Sequence, residues 1–191
     1  MMASAAKQLY EAVSVLALQR ECEKCRLCEE NVGLVYVLED ELDLIRSRGI
    51  LFKTTSGGVN YVVRSPEGWC SCFEPTTNKC KVYDARPLCC RIYPLDLTEI
   101  DGEVWWVIHT NCRISERFQR EKHLDLLVAL TTEIERCLSK TQFQKWLKQD
   151  RLSRSIESFA RDYMKAIKLR RYGEPKAFPV PFHAKRSSKR S

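Results

Sequence analysis

Cys70-Ser-Cys72-Phe-Glu-Pro-Thr-Thr-Asn-Lys-Cys80-Lys-Val-Tyr83-Asp-Ala-Arg86-Pro-Leu-Cys89-Cys90-Arg91-Ile-Tyr93-Pro94 carries five of the ten cysteines of a 191-residue chain. Trp69 to Phe73 reads as a short strand, and Asp84 to Cys90 as one helical turn with Asp84 as its N-cap. The cysteines therefore fall at turns and strand ends, where thiols converge without disrupting a core. A thiolate-bound metal carries net negative charge that guanidinium donors stabilise, and Arg86 and Arg91 are placed to do so.

Upstream, Cys22-Glu-Lys-Cys25-Arg-Leu-Cys28 repeats a two-residue spacer. That spacing lets a tight loop aim successive sulfurs at one point. Zinc sites usually take two ligands from one such knuckle and two from a distant one. Three in a run resemble the start of the bacterial ferredoxin pattern, but no cysteine among Glu29 to Val32 completes it. Downstream, Cys112 follows a strand, and His109, three residues earlier, is open as a member of a mixed site. Cys70 and Cys89 each adjoin a stronger candidate and are open as extra ligands or redox partners. Cys137 lies on the apolar side of a helix and reads as packing.

Around these motifs the chain predicts an α+β fold, a small cysteine-rich metal-binding domain with short hairpins followed by a C-terminal helical hairpin. A helix is expected over Ser4 to Arg20, a strand over Gly33 to Leu38, and a helix over Glu39 to Ser47. Glu39, Asp40, Glu41 and Asp43 read as a solvated face of that helix. Ser56-Gly57-Gly58 and Asp101-Gly102 mark two hairpins, Ile50–Thr54 with Val59–Arg64 and Leu95–Glu99 with Glu103–Ile108. Of Trp105 and Trp106, one must face away from the other.

Glu116 to Leu138 is amphipathic through Leu124, Leu127, Leu130, Ile134 and Leu138. A second helix is expected over Gln142 to Arg170, its stripe formed by Phe143, Trp146, Leu147, Ile156, Phe159, Tyr163 and Ile167. The domain boundaries read as 1–113 for the cysteine domain (core 20–113), 114–172 for the helical hairpin, and 173–191 for a basic, disordered tail.

Charge is uneven. Residues 141–191 hold 14 Lys and Arg against 4 Asp and Glu, whereas residues 1–140 hold 18 against 21. Lys165, Lys168, Arg170, Arg171, Lys185, Arg186, Lys189 and Arg190 suggest contact with nucleic acid, with Tyr172, Phe178 and Phe182 able to stack on bases, or else a solubilising tail. The N-terminus is a poor signal peptide and no segment has the length of a membrane span, so a cytoplasmic location without membrane contact is expected. Clustered cysteines in that compartment point to metal rather than disulfides. No phosphate loop, nucleophile elbow or HExxH motif is present, and no reaction is read.

Taken in order, Cys22-x2-Cys25-x2-Cys28, Cys72-Phe, Cys80-x2-Tyr83, Arg86-Pro-x2-Cys90-Arg91-x-Tyr93-Pro94 and Cys112 resemble the YkgJ-like CxxCxxCC cysteine-cluster family, whose members are described as zinc or iron chelators and sometimes as Fe-S oxidoreductases. The resemblance covers roughly residues 20–113. It implies Cys22, Cys25, Cys28, Cys72, Cys80, Cys90 and Cys112 as metal ligands. Glu29 stands where the family usually has the last cysteine of its first motif, which leaves seven matched cysteines. A flagellin lysine N-methylase carries such a domain, so the resemblance extends by analogy to protein modification. The resulting expectation is an iron–sulfur cluster, 4Fe-4S, with a redox or protein-modification role on an unknown protein partner. The alternative is a zinc-structured module that binds RNA, DNA or an acidic protein.

Overall fold

The computed structural model describes residues 34–65, 68–110, 112, 115, 121–156 and 166–174. The expected N-terminal helix, Cys22, Cys25, Cys28, and the tail beyond Glu174 lie outside them. Within the described residues the fold is α+β, built from small antiparallel sheets and two long helices.

The first sheet has three strands in the order β1-β3-β2: β1 (Tyr36–Val37), β2 (Phe52–Thr54) and β3 (Asn60–Val62). The β2–β3 hairpin forms at the Ser56-Gly57-Gly58 signal, where Gly58 takes φ +71°, a left-handed conformation that favours glycine. Between β1 and β2 a 3-10 turn, Glu39–Glu41, leads into α1 (Leu42–Ser47). This sheet and α1 bury Val35, Val37, Ile45, Ile50 and Val62 in a small core.

A two-stranded ribbon follows, β4 (Phe73–Glu74) with β5 (Lys79–Cys80), and then a short helix, α2 (Leu88–Ile92). The strand expected over Trp69 to Phe73 is instead a bridge between Arg64 and Cys70 followed by β4. Asp84 lies in a 3-10 turn, Tyr83–Ala85, and does not cap α2. Pro87 precedes the helix, and the Leu88 N–H donates to the Glu41 carboxylate at 2.8 Å.

The larger core lies under the third sheet, in the order β6-β7-β8, with β6 (Leu95–Ile100) and β7 (Glu103–His109) joined by the expected Asp101-Gly102 turn. Helices α3 (Glu121–Cys137) and α4 (Lys140–Ile156) pack on it. Leu127, Leu130, Ile134 and Leu138 of the predicted stripe are buried there, as are Phe143 and Trp146, with Leu147 and Cys137 packed at the margin. Trp106 is fully buried among these aromatics, edge-on to Phe143 and Trp146. Trp105 faces the other way, under the cations of Lys168 and Arg171.

The second long helix does not run to Arg170. Residues Ala166–Arg171 form β8, antiparallel to β7, with Ile108 opposite Ile167. Ile167 fits a helical stripe as well as an extended one, and the open edge of β7 decides between them by supplying backbone partners. This changes the reading of the basic end. Arg170 is 2% exposed and is held by Glu135 at 2.7 Å and Thr131 Oγ1 at 2.6 Å. Arg171 pairs with Glu103 at 3.0 Å, and Tyr172 packs on Phe143. Lys168, Arg170, Arg171 and Tyr172 therefore serve the fold, because β8 turns them onto the sheet. Thr131→Val keeps the shape of a fully buried side chain but removes the acceptor for Arg170 Nε. It is expected to cost about 1.5 kcal/mol, read as a shift in urea midpoint at unchanged slope.

Candidate metal centre

Three segments deliver thiols to one place. In the first, the Phe73 N–H donates to the Cys70 carbonyl at 2.9 Å, closing a turn over Cys70-Ser71-Cys72-Phe73. Trp69 and Phe73 stack across it with centroids 4.9 Å apart and ring planes 2° from parallel. The Ser71 N–H donates to the Val63 carbonyl, which fixes the turn to the chain leaving β3. The second segment is β5, where Cys80 lies opposite Phe73 and the Lys81 N–H donates to the Cys72 carbonyl at 2.7 Å. The third is α2, which carries Cys89 and Cys90.

Cys72 is buried in the small core, and Cys70, Cys80, Cys89 and Cys90 pack against that same core. The Cys72 thiol is hydrogen-bonded to Cys70. That bond, then burial, then repulsion from Cys70, Cys80 and Cys90 raise it far above the ordinary cysteine range. The Cys90 thiol is raised as well, first by its hydrogen bond with Cys89 and then by burial, while the Arg86 guanidinium opposes the rise. Cys89 has a further anchor, since its thiol donates to the Tyr36 carbonyl at 3.0 Å.

The two arginines differ. Arg86 lies over the Tyr83 ring, 3.8 Å from its centroid, with its charge felt at Cys90. Arg91 directs its guanidinium to backbone, donating to the carbonyls of Arg86 at 2.6 Å and Asp84 at 2.7 Å, and so holds the loop that enters α2.

The structure thus gathers Cys72, Cys80 and Cys90 and adds Cys70 and Cys89 to them. Cys112 is buried in the larger core instead. His109, open from the sequence as a mixed ligand, has Nε2 3.1 Å from Asp96 Oδ2, while its buried Nδ1 has no hydrogen-bond partner among the described residues. The other Asp96 oxygen accepts from Trp146 Nε1 at 2.9 Å. Among the described residues no disulfide forms, and no three His, Cys, Asp or Glu side chains surround a point closely enough to hold an ion as they stand. The thiols are neighbours rather than a finished ligand shell, so an ion held by them would have to draw the sulfurs inward as their protons leave.

The donor chemistry fits a thiophilic metal. One buried and several half-buried thiols crowded on one core form an unfavourable group of anions unless a cation binds them. Ser71 adds a buried hydroxyl, without a hydrogen-bond partner among the described residues, in the middle of the turn. One contributor was missed in the sequence. Glu41 is not part of a solvated face. It is 4% exposed, and its carboxylate accepts from the Leu38 N–H at 3.0 Å as well as from Leu88. Its neighbours Glu39, Asp40 and Asp43 are exposed. No local signal separates Glu41 from them, because its partner lies 47 residues away.

The sequence pattern of the CxxCxxCC family, described as "Putative zinc- or iron-chelating domain", matches residues 21–123, more than half of the chain. The chain belongs to the CxxCxxCC family. Its CxxCxxCC domain is a metal-binding cysteine-cluster domain, and the ribbon and α2 fall within the matched residues. No curated protein and no solved structure matches the chain. No helix among the described residues is long and apolar enough to cross a membrane.

Proposed function

We propose that the CxxCxxCC domain carries an iron–sulfur cluster, held by Cys22, Cys25, Cys28 and one or more of Cys72, Cys80, Cys90 and Cys112, and serves a redox or protein-modification role in the cytoplasm. The observation that carries the metal centre is the grouping of Cys72, Cys80 and Cys90 thiols from three separate segments on one core, beside the Arg86 charge. The preference for iron–sulfur rests on the ferredoxin-like triple at Cys22, Cys25 and Cys28. A bound cluster supplies one-electron chemistry. The residues of the chain do the rest: Arg86 offsets the charge of the thiolates, Arg91 fixes the loop that presents Cys90, and Glu41 fixes the start of α2. The partner is a protein. An anionic partner at the basic end would have to use Lys165, Lys185, Arg186, Lys189 and Arg190, since Lys168, Arg170 and Arg171 are engaged in the fold.

Protein purified without oxygen is expected to be coloured, with broad visible absorbance that a reductant bleaches and with iron and acid-labile sulfide present. Colourless protein that holds only zinc would overturn the iron reading and leave the second one. That reading is a zinc-structured binding module, in which the metal would brace the short ribbon of β4 and β5, two residues each.

A further inference from the structure

We propose that Cys70 and Cys72 form a redox-active dithiol that closes into a disulfide by exchange with small-molecule disulfides. The pair lies in one tight turn: the Phe73 N–H donates to the Cys70 carbonyl at 2.9 Å, and Cys70 is bridged by backbone to Arg64. Within that turn the two thiols are hydrogen-bonded to each other, so their sulfurs are already in contact. Two residues of extended chain span at most about 7 Å, and a turn shortens that into the roughly 4.4–6.8 Å between α-carbons that a disulfide requires. Exposure divides the roles. Cys70 is half-buried and within reach of a dissolved reagent, whereas Cys72 is buried in the small core.

Cys89 and Cys90 are also in contact, yet they are barred from the same chemistry. They are adjacent on α2, with α-carbons about 3.8 Å apart across a trans peptide, short of the disulfide range. The Cys89 thiol is moreover committed to the Tyr36 carbonyl.

The exchange balances in two steps. The Cys70 thiol gives up its proton, its sulfur attacks the reagent disulfide, and a mixed disulfide forms as one reagent thiol leaves with a proton. The Cys72 thiol then gives up its proton, its sulfur attacks that of Cys70, and the second reagent thiol leaves. Two protein thiols are oxidised, and one reagent disulfide is reduced to two thiols. Once bridged, Cys72 has no thiolate to offer a metal, so the dithiol gates the centre. That consequence rests on the metal-centre reading above; the bridge itself does not. Transient, redox-responsive disulfides of this kind are the ones that reducing compartments hold.

The test uses the full chain and oxidised glutathione as the probe. Trypsin cuts after Arg64 and Lys79, and peptide 65–79 holds Cys70 and Cys72 as its only cysteines, so its mass reads the bridge directly. In chelated protein this peptide should become two hydrogens lighter and escape alkylation at both positions, with two equivalents of glutathione released per bridge. Cys72→Ser should stop at the mixed disulfide on Cys70, and Cys89→Ser should close the bridge within about threefold of the unaltered rate. Zinc loading should slow closure at least about tenfold, because Cys72 is then held as a ligand. The proposal is overturned if peptide 65–79 keeps both thiols open to alkylation, carries glutathione without closing, or is joined to another cysteine. Mapping on the unaltered chain decides this even where a serine variant does not fold. Closure at full rate in zinc-loaded protein would strike Cys72 from the ligands and leave the dithiol standing. A chain that closes the bridge but takes up neither zinc nor iron sinks the metal centre alone.

Discussion

Stripping the metal from the folded protein is expected to abolish hydrogen-exchange protection over residues 70–92 while β6, β7 and β8 keep theirs. The reason is the unequal support of the two regions. The third sheet has strands of six and seven residues backed by α3 and α4, with Trp106, Trp146 and Ile134 fully buried beneath it. The ribbon β4–β5 has two residues a side, and an isolated two-stranded hairpin is marginal in water even when longer. Its attachment runs through Cys72, Val82 and Ala85 to the small core, next to crowded thiols. A metal that binds only the folded form supplies stability directly, and structural zinc in small peptides contributes on the order of 10 kcal/mol. Chelation should remove most of what holds this segment. Equal protection with and without chelator would show that the sulfurs are ordinary core packing.

Glu41→Ala is expected to destabilise the metal-loaded protein by about 4 kcal/mol, at roughly 1–3 kcal/mol for each buried donor left without an acceptor. One carboxylate holds the Leu38 N–H beside β1 and the Leu88 N–H that opens α2, so its loss frees the helix that carries Cys90. Glu41→Gln keeps one acceptor oxygen but loses the charge that strengthens both bonds, and about half the effect should remain. Chemical denaturation of the three proteins at constant metal checks the order. The alanine variant should also bind metal more weakly, because α2 must then be ordered during binding. An alanine variant as stable as the unaltered chain would mean that Glu41 is dispensable.

Much of this molecule was legible from local chemistry. Glycine-marked turns gave both hairpins, since Gly58 and Gly102 take positive φ. The 3.6-residue period gave α3 and most of its buried face. Neither signal reports long-range pairing. Ala166 to Arg171 satisfies helical and extended patterns alike, and only the vacant edge of β7 makes it a strand. Arg170 read as surface charge for the same reason, since nothing near it in sequence announces Glu135 and Thr131. At the candidate site, the family resemblance picked out Cys72, Cys80 and Cys90, whereas Cys70 stayed open because a Cys-x-Cys turn has no meaning until its neighbours in the fold are placed. Glu41 shows the limit most clearly: three acidic neighbours share its sequence environment, and a single tertiary contact gives it a different role.

The centre is most directly tested by X-ray absorption at the edge of whatever metal the purified protein holds. The account predicts a coordination shell dominated by sulfur at about 2.3 Å. A shell of nitrogen and oxygen atoms near 2.0–2.2 Å, or protein that purifies without metal and accepts none, would contradict it.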